Sequence, residues 1–130
     1  MIKELVQFIE NGTDLIVGTN LFAGFAPPTV EDCVIVIESG GVPNFFVKDF
    51  VEKAIQVLSR SRNYWTAKSN ADKVYELLHT QAGITLPVVE VGKEYYANTI
   101  EAVSAPQSLG QDDKGLFNIS TNYVLKIQDA

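Results

Sequence analysis

Phe117-Asn-Ile-Ser-Thr-Asn-Tyr-Val-Leu-Lys-Ile127 is the stretch that decides how this chain folds. Phe117, Ile119, Thr121, Tyr123, Leu125 and Ile127 share one side of a twofold repeat; Asn118, Ser120, Asn122 and Lys126 share the other. Alternation over that length predicts a β-strand with one buried face. Ahead of it lies Gln107-Ser-Leu-Gly-Gln-Asp-Asp-Lys-Gly115, which has the composition of a polar loop. A long strand behind a charged loop presents a contact surface from a stiff scaffold.

Working back from that strand, residues 84–91 and 94–104 read as two strands, with Gly92-Lys93 as the hairpin turn between them. Before them, Tyr64, Ala67, Ala71, Val74 and Leu78 recur at three- and four-residue steps, widened by Tyr75 and Ala82. That spacing predicts the main helix, with Asn63 as N-cap and Gly83 as C-terminal cap. Residues 54–62 alternate loosely and predict a strand, Ile55 and Val57 facing away from Gln56, Arg60 and Arg62. Residues 33–37 contain no polar side chain, as in a strand buried on both faces, and Gly40-Gly41 and Pro43 predict the turn that ends it. Residues 18–30 read as a loop, although they carry Leu21, Phe22 and Phe25.

At the start, Ile2, Leu5, Val6 and Ile9 oppose Lys3, Glu4, Gln7 and Glu10, which predicts a short amphipathic helix stopped at Asn11-Gly12 by a left-handed glycine. Two helices cannot cover both faces of so many strands. The expected fold is therefore α+β: a mostly antiparallel, mixed sheet with two helices packed on one face, in a single domain over residues 1–130.

The chain has 130 residues, 46% hydrophobic and 20% charged, which suits one globular domain. Its net charge of −6 repels phosphate backbones, and the only basic cluster, Arg60-Ser-Arg62, is too small to reverse that. No specific nucleic-acid partner is expected. The longest apolar run, residues 33–37, is far shorter than the roughly 20 residues a bilayer span requires. Lys3 and Glu4 precede any apolar run, unlike a signal peptide, and the lone Cys33 excludes an internal disulfide. These features lead us to expect a protein of a cytoplasm, or one assembled there, without a membrane partner.

Residue chemistry names no reaction. His79 is the only histidine and sits in the last turn of the predicted main helix, where an imidazole complements the helix dipole. Cys33 follows Glu31-Asp32, which would raise a thiol pKa, so it reads as a buried thiol. Asp112-Asp113 lacks the alternating oxygens of an EF-hand, and reads as a solvated loop tip or a docking loop. The glycine pairs lack the spacing of phosphate loops. No catalytic, metal or cofactor-binding residue is expected. Leu21, Phe22 and Phe25 either fold back over a core edge or anchor a neighbouring subunit.

Three segments together resemble a family. Leu21-Phe-Ala-Gly-Phe-Ala-Pro-Pro-Thr-Val-Glu-Asp-Cys-Val-Ile-Val-Ile-Glu-Ser-Gly-Gly41 is similar to the opening of the small phage proteins known as minor capsid or tail-terminator proteins. Ile55-Gln-Val-Leu-Ser-Arg60 and the helix after it resemble that family's central strand and helix. Pro106 to Asn122 resembles its closing segment, with Leu116 standing where the family often carries an arginine or another polar residue.

The resemblance implies a structural virion protein, not an enzyme and without a cofactor. It implies a homo-oligomeric ring, usually hexameric, that stops the tail tube and faces the head-side connector. Its partners would be itself, the tail tube protein and the connector, with DNA passing through the ring. Its place would be the tail or head–tail junction, and the host cytoplasm during assembly. The candidate interface residues are Leu21, Phe22, Phe25, Arg60, Arg62, Gln111, Asp112, Asp113 and Lys114. A neck protein joining head and tail is the alternative within that class. From another class, a small α+β enzyme or ligand-binding module would use Asp112 and Asp113.

Overall fold

The computed structural model describes residues 1–43 and 50–129. In chain order these form α1 (Ile2–Gly12), β1 (Leu21–Ala23), β2 (Cys33–Pro43), β3 (Phe50–Ser61), α2 (Tyr64–Leu78), β4 (Gln81–Thr85), β5 (Tyr95–Ala102), β6 (Gln107–Gln111) and β7 (Phe117–Asp129). Among the described residues the strands make one mixed sheet in the order β1-β2-β3-β7-β5-β4. β1 and β2 run parallel and the other pairings between these strands are antiparallel; Val17 adds an isolated parallel bridge to Leu21.

β7 is a strand with one buried face, as its alternation predicts, and pairing makes it the axis of the sheet. One edge pairs with β3 from Ser61↔Phe117 to Phe50↔Gln128. The other pairs with β5 along its second half and with β6 near its start. Ile119, Thr121, Tyr123, Leu125 and Ile127 are all buried. Register places Val36, Val57 and Thr121 side by side, and Ile55, Tyr123 and Ala102 likewise, so these side chains share one face.

That face receives both helices. Leu5, Val6 and Ile9 of α1 and Val74 and Leu78 of α2 join Val34, Val36, Ile55, Val57, Ile100, Tyr123, Leu125 and Ile127 in one core. Ala67 and Ala71 are the small residues that let the first half of α2 approach Ile119, and the Ser59 hydroxyl donates to the Ala67 carbonyl at 2.8 Å. Asn63 caps this helix as expected, its side chain accepting from the Trp65 and Thr66 amides.

The chain also departs from the sequence reading at several points. α1 ends on Thr13, whose backbone is extended and whose hydroxyl donates to the Ile9 carbonyl at 2.7 Å, rather than on a left-handed glycine. Gly12 is instead a packing residue, since a Cβ there would lie 2.7 Å from the Leu77 side chain. Glu4, expected on the solvent face, is buried and paired with the Met1 amino group at 3.1 Å.

α2 stops at Leu78, earlier than the periodicity suggested, so Gly83 lies inside β4 and is no cap. The left-handed residue after the helix is Thr80, at φ 71°. The predicted strand over 84–91 shrinks to β4, which pairs with β5 while 86–94 becomes the connection. Within the expected 18–30 loop, β1 adds to the edge of β2, and within the polar stretch β6 adds to β7. β2 passes through Gly40-Gly41 to Pro43 with a bulge, where a turn was expected. A Cβ on Gly41 would sit 1.9 Å from the Glu52 carbonyl oxygen, so only glycine allows this approach.

Candidate contact surface at the Arg60 end of the sheet

β3 ends in Arg60-Ser61-Arg62, and each of these side chains fastens the segment that leads into β2. Arg60 donates to the Val30 carbonyl at 2.9 Å and to the Pro27 carbonyl at 3.3 Å. Ser61 donates its hydroxyl to Asp32, and Arg62 pairs with Glu31. The two arginines that looked like a free basic cluster are therefore a strap. Their charge and donors hold the proline segment to the sheet.

The β6–β7 turn lies against this strap. The Asp112 carboxylate accepts from the Lys114 amide at 2.9 Å, the Leu116 amide at 3.0 Å and the Asn118 side chain at 3.3 Å. The Gly115 amide closes the turn on the Asp112 carbonyl at 3.0 Å, and the Gln111 side chain donates to the Gly115 carbonyl at 3.2 Å. The Leu116 amide bond is the main reason the Asp112 carboxyl lies below the usual carboxylate range; Arg60 adds a smaller pull. Asp112 shapes the tip from within. Asp113 and Lys114 are exposed, and their side chains find no partner among the described residues.

Pro28, Arg60, Asp112, Asp113, Lys114 and Leu116 line a recess of about 260 Å³. Four of the nine expected interface residues thus meet in one place, with Arg62 beside them in the strap and Gln111 at the base of the tip. The aromatic segment does not join them. Leu21 is fully buried in the chain's own core, and Phe22 is half-buried opposite Ile35. Phe25 stands 78% exposed two residues beyond the end of β1.

Trp65 was missed in the sequence, yet it is 74% exposed in the first turn of α2. Its position off the Ala67–Ala71–Val74–Leu78 stripe was the available signal. Tyr64 supports it edge-on at 5.1 Å and rests against Phe117 at 5.6 Å. Also missed were Val88, Val89 and Val91 in the β4–β5 connection, all exposed.

The other candidates settle into structural places. His79, the C-cap of α2, accepts the Ala102 amide on Nδ1 at 3.1 Å and so ties the end of the helix to β5. Cys33 is buried; burial is the main force pushing its thiol pKa up, opposed by Arg60 and reinforced slightly by Asp32. Among the described residues, no three His, Cys, Asp or Glu side chains converge as a metal set, and no helix is long and apolar enough to cross a membrane.

The model of a family described as bacteriophage tail terminator protein matches residues 8–129, nearly the whole chain. No curated protein matches. Among solved structures, a chain of the virion of a native gene transfer agent particle superposes with a TM-score of 0.56 at 16% identity, covering 85% of this chain and 80% of that one. The likeness is one of fold.

Proposed function

Because this chain belongs to the bacteriophage tail terminator family, we propose that it is a structural tail protein that assembles with copies of itself into a ring. The ring ends growth of the tail tube and offers its other side to the head connector. The family match carries this reading, since it spans α2, the central strand and the tip together. A fold shared with a component of a gene transfer agent virion is consistent with a part built into a particle. Assembly would take place in the host cytoplasm, and the ring would leave a passage for DNA, whose phosphates a chain of net charge −6 does not hold.

The Arg60 end suits an axial contact. The tip is stiffened by Asp112 and displays Asp113 and Lys114, while the strap keeps the neighbouring proline segment in place. The same geometry argues against acid–base chemistry by Asp112. A carboxylate kept ionised by three donors is a poor proton acceptor at neutral pH.

Electron microscopy of the purified protein, alone and mixed with polymerising tail tubes, tests the proposal. Rings at tube ends and tubes of limited length are expected. Tubes that grow unchanged, or protein found on tail-less heads and absent from head-less tails, would reject termination; the second result would make it a neck protein.

A further inference from the structure

The turn between α2 and β4 holds the one left-handed residue other than glycine among the described residues, Thr80 at φ 71°. A β-branched side chain resists that conformation, so the turn persists only while its surroundings hold it. Four hydrogen bonds do so. The His79 amide donates to the Tyr75 carbonyl at 3.0 Å, and the Thr80 amide to the Ile100 carbonyl at 3.1 Å. The Gln81 side chain donates to the Leu77 carbonyl at 2.8 Å, and the Ala102 amide donates to Nδ1 of His79 at 3.1 Å.

The last of these differs from the rest. β4 begins with Gln81 opposite Ile100, and continuing that register would set His79 opposite Ala102. The His79 backbone still belongs to the cap of α2, so its ring supplies the acceptor that a strand carbonyl would otherwise offer. The next amide, of Val103, turns the other way and donates to Asn122 of β7 at 2.8 Å. Only an unprotonated ring nitrogen can accept from an amide, so the neutral ring carries its proton on Nε2. A proton added to Nδ1 would set two N–H donors against each other.

We propose that His79 is a proton-sensitive latch: its neutral ring holds the left-handed turn and the start of β4 against β5, and protonation releases them. Around this junction α2 supplies Tyr75, edge-on to the imidazole at 5.1 Å, and Glu76. β5 supplies Glu101 and Tyr96, whose hydroxyl lies over Gly83; β7 supplies Tyr123, paired with Ala102; β4 has no titratable side chain. Phenols and carboxylates ordinarily titrate outside the range of about pH 5–8 in which an imidazole does, and burial pushes Tyr123 further up. His79, the only histidine, is therefore the group here whose charge changes across that range. The opened turn binds one more proton than the closed one, so closure is favoured as pH rises and opening as it falls.

Hydrogen exchange of the full chain, read by mass spectrometry at about pH 7.5 and about pH 5.5 and corrected for the intrinsic pH dependence of amide exchange, tests this. Peptides over residues 79–85 and 100–103 are expected to lose protection about tenfold at the lower pH, while peptides from β3 and β7 keep theirs. His79→Asn offers an oxygen in place of Nδ1 and binds no proton, so it should stay protected at both values. His79→Phe keeps a ring against Tyr75 but removes the acceptor, so it should be unprotected at both. Wild-type protection that is the same at the two values overturns the proposal without either variant. A His79→Asn chain that still loses protection in acid overturns it as well, because another group then carries the effect. So does a wild type that loses protection equally in β3 and β7, which would be unfolding of the whole domain.

Discussion

The two ends of this molecule handle surface polarity in opposite ways. At the Arg60 end, residues that look free are engaged: Asp112 is consumed by its own turn and the arginines by the proline segment. At the valine end, residues that look like core are exposed: Val88, Val89 and Val91 stand in a connection that is not a strand. Residue type is therefore a poor guide to availability at either end. What decides it is whether neighbouring backbone groups need the side chain.

The largest effect expected from breaking this contrast lies at neither tip, but at the β2–β3 bulge. Gly41→Ala places a methyl against the Glu52 carbonyl and should cost about 3 kcal/mol or more, measured by urea unfolding. A loss below ~1 kcal/mol would mean that the bulge can open and that this hairpin is not rigid.

Next comes the strap. Arg60→Met keeps a long apolar stem but removes both carbonyl contacts, for a loss of about 1–2 kcal/mol. Amide exchange should speed up over residues 27–32 more than in β7. Uniform acceleration across the sheet would show that Arg60 supports the whole fold and not the segment.

At the tip, Asp112→Ala should lower the melting temperature by a few degrees, whereas Asp113→Ala should leave it unchanged, because only the first aspartate bonds the turn. For tail-tube binding the order should reverse among folded variants, with Asp113→Ala the more damaging. Equal thermal losses would erase the distinction between shaping and displaying residues.

Acid sharpens the same point. The folded Asp112 pKa is depressed, so its contribution to stability is present above the unfolded carboxylate value, near pH 4, and is lost as pH falls through the lower folded value. Asp112→Asn should flatten the wild-type stability slope below about pH 4 and leave the slope above it intact. An unchanged acid slope would assign the lowering to groups other than Asp112.

The smallest effect is expected at the valine connection. Val91→Ser should change monomer stability by less than about 0.5 kcal/mol, since the side chain buries nothing within the chain. A larger loss would place the connection in the core of the subunit rather than on its surface.

The sequence by itself determined the parts with a clear period. β7 and its buried face, the stripe and N-cap of α2, the amphipathic α1 and the two-sided burial of β2 are all written in local alternation of polarity, which reports what each side of an element must meet. Only the tertiary structure decided the short elements and the fate of the polar groups. β1 and β6 carry too few residues to show a period, and exist because β2 and β7 offer unpaired edges. α2 ends early because Thr80 turns and Gln81 joins β5. The carboxylate of Asp112 and the guanidinium of Arg60 found partners through backbone groups brought near by folding. Hydrogen bonds of that kind depend on distance in space, which residue order does not encode.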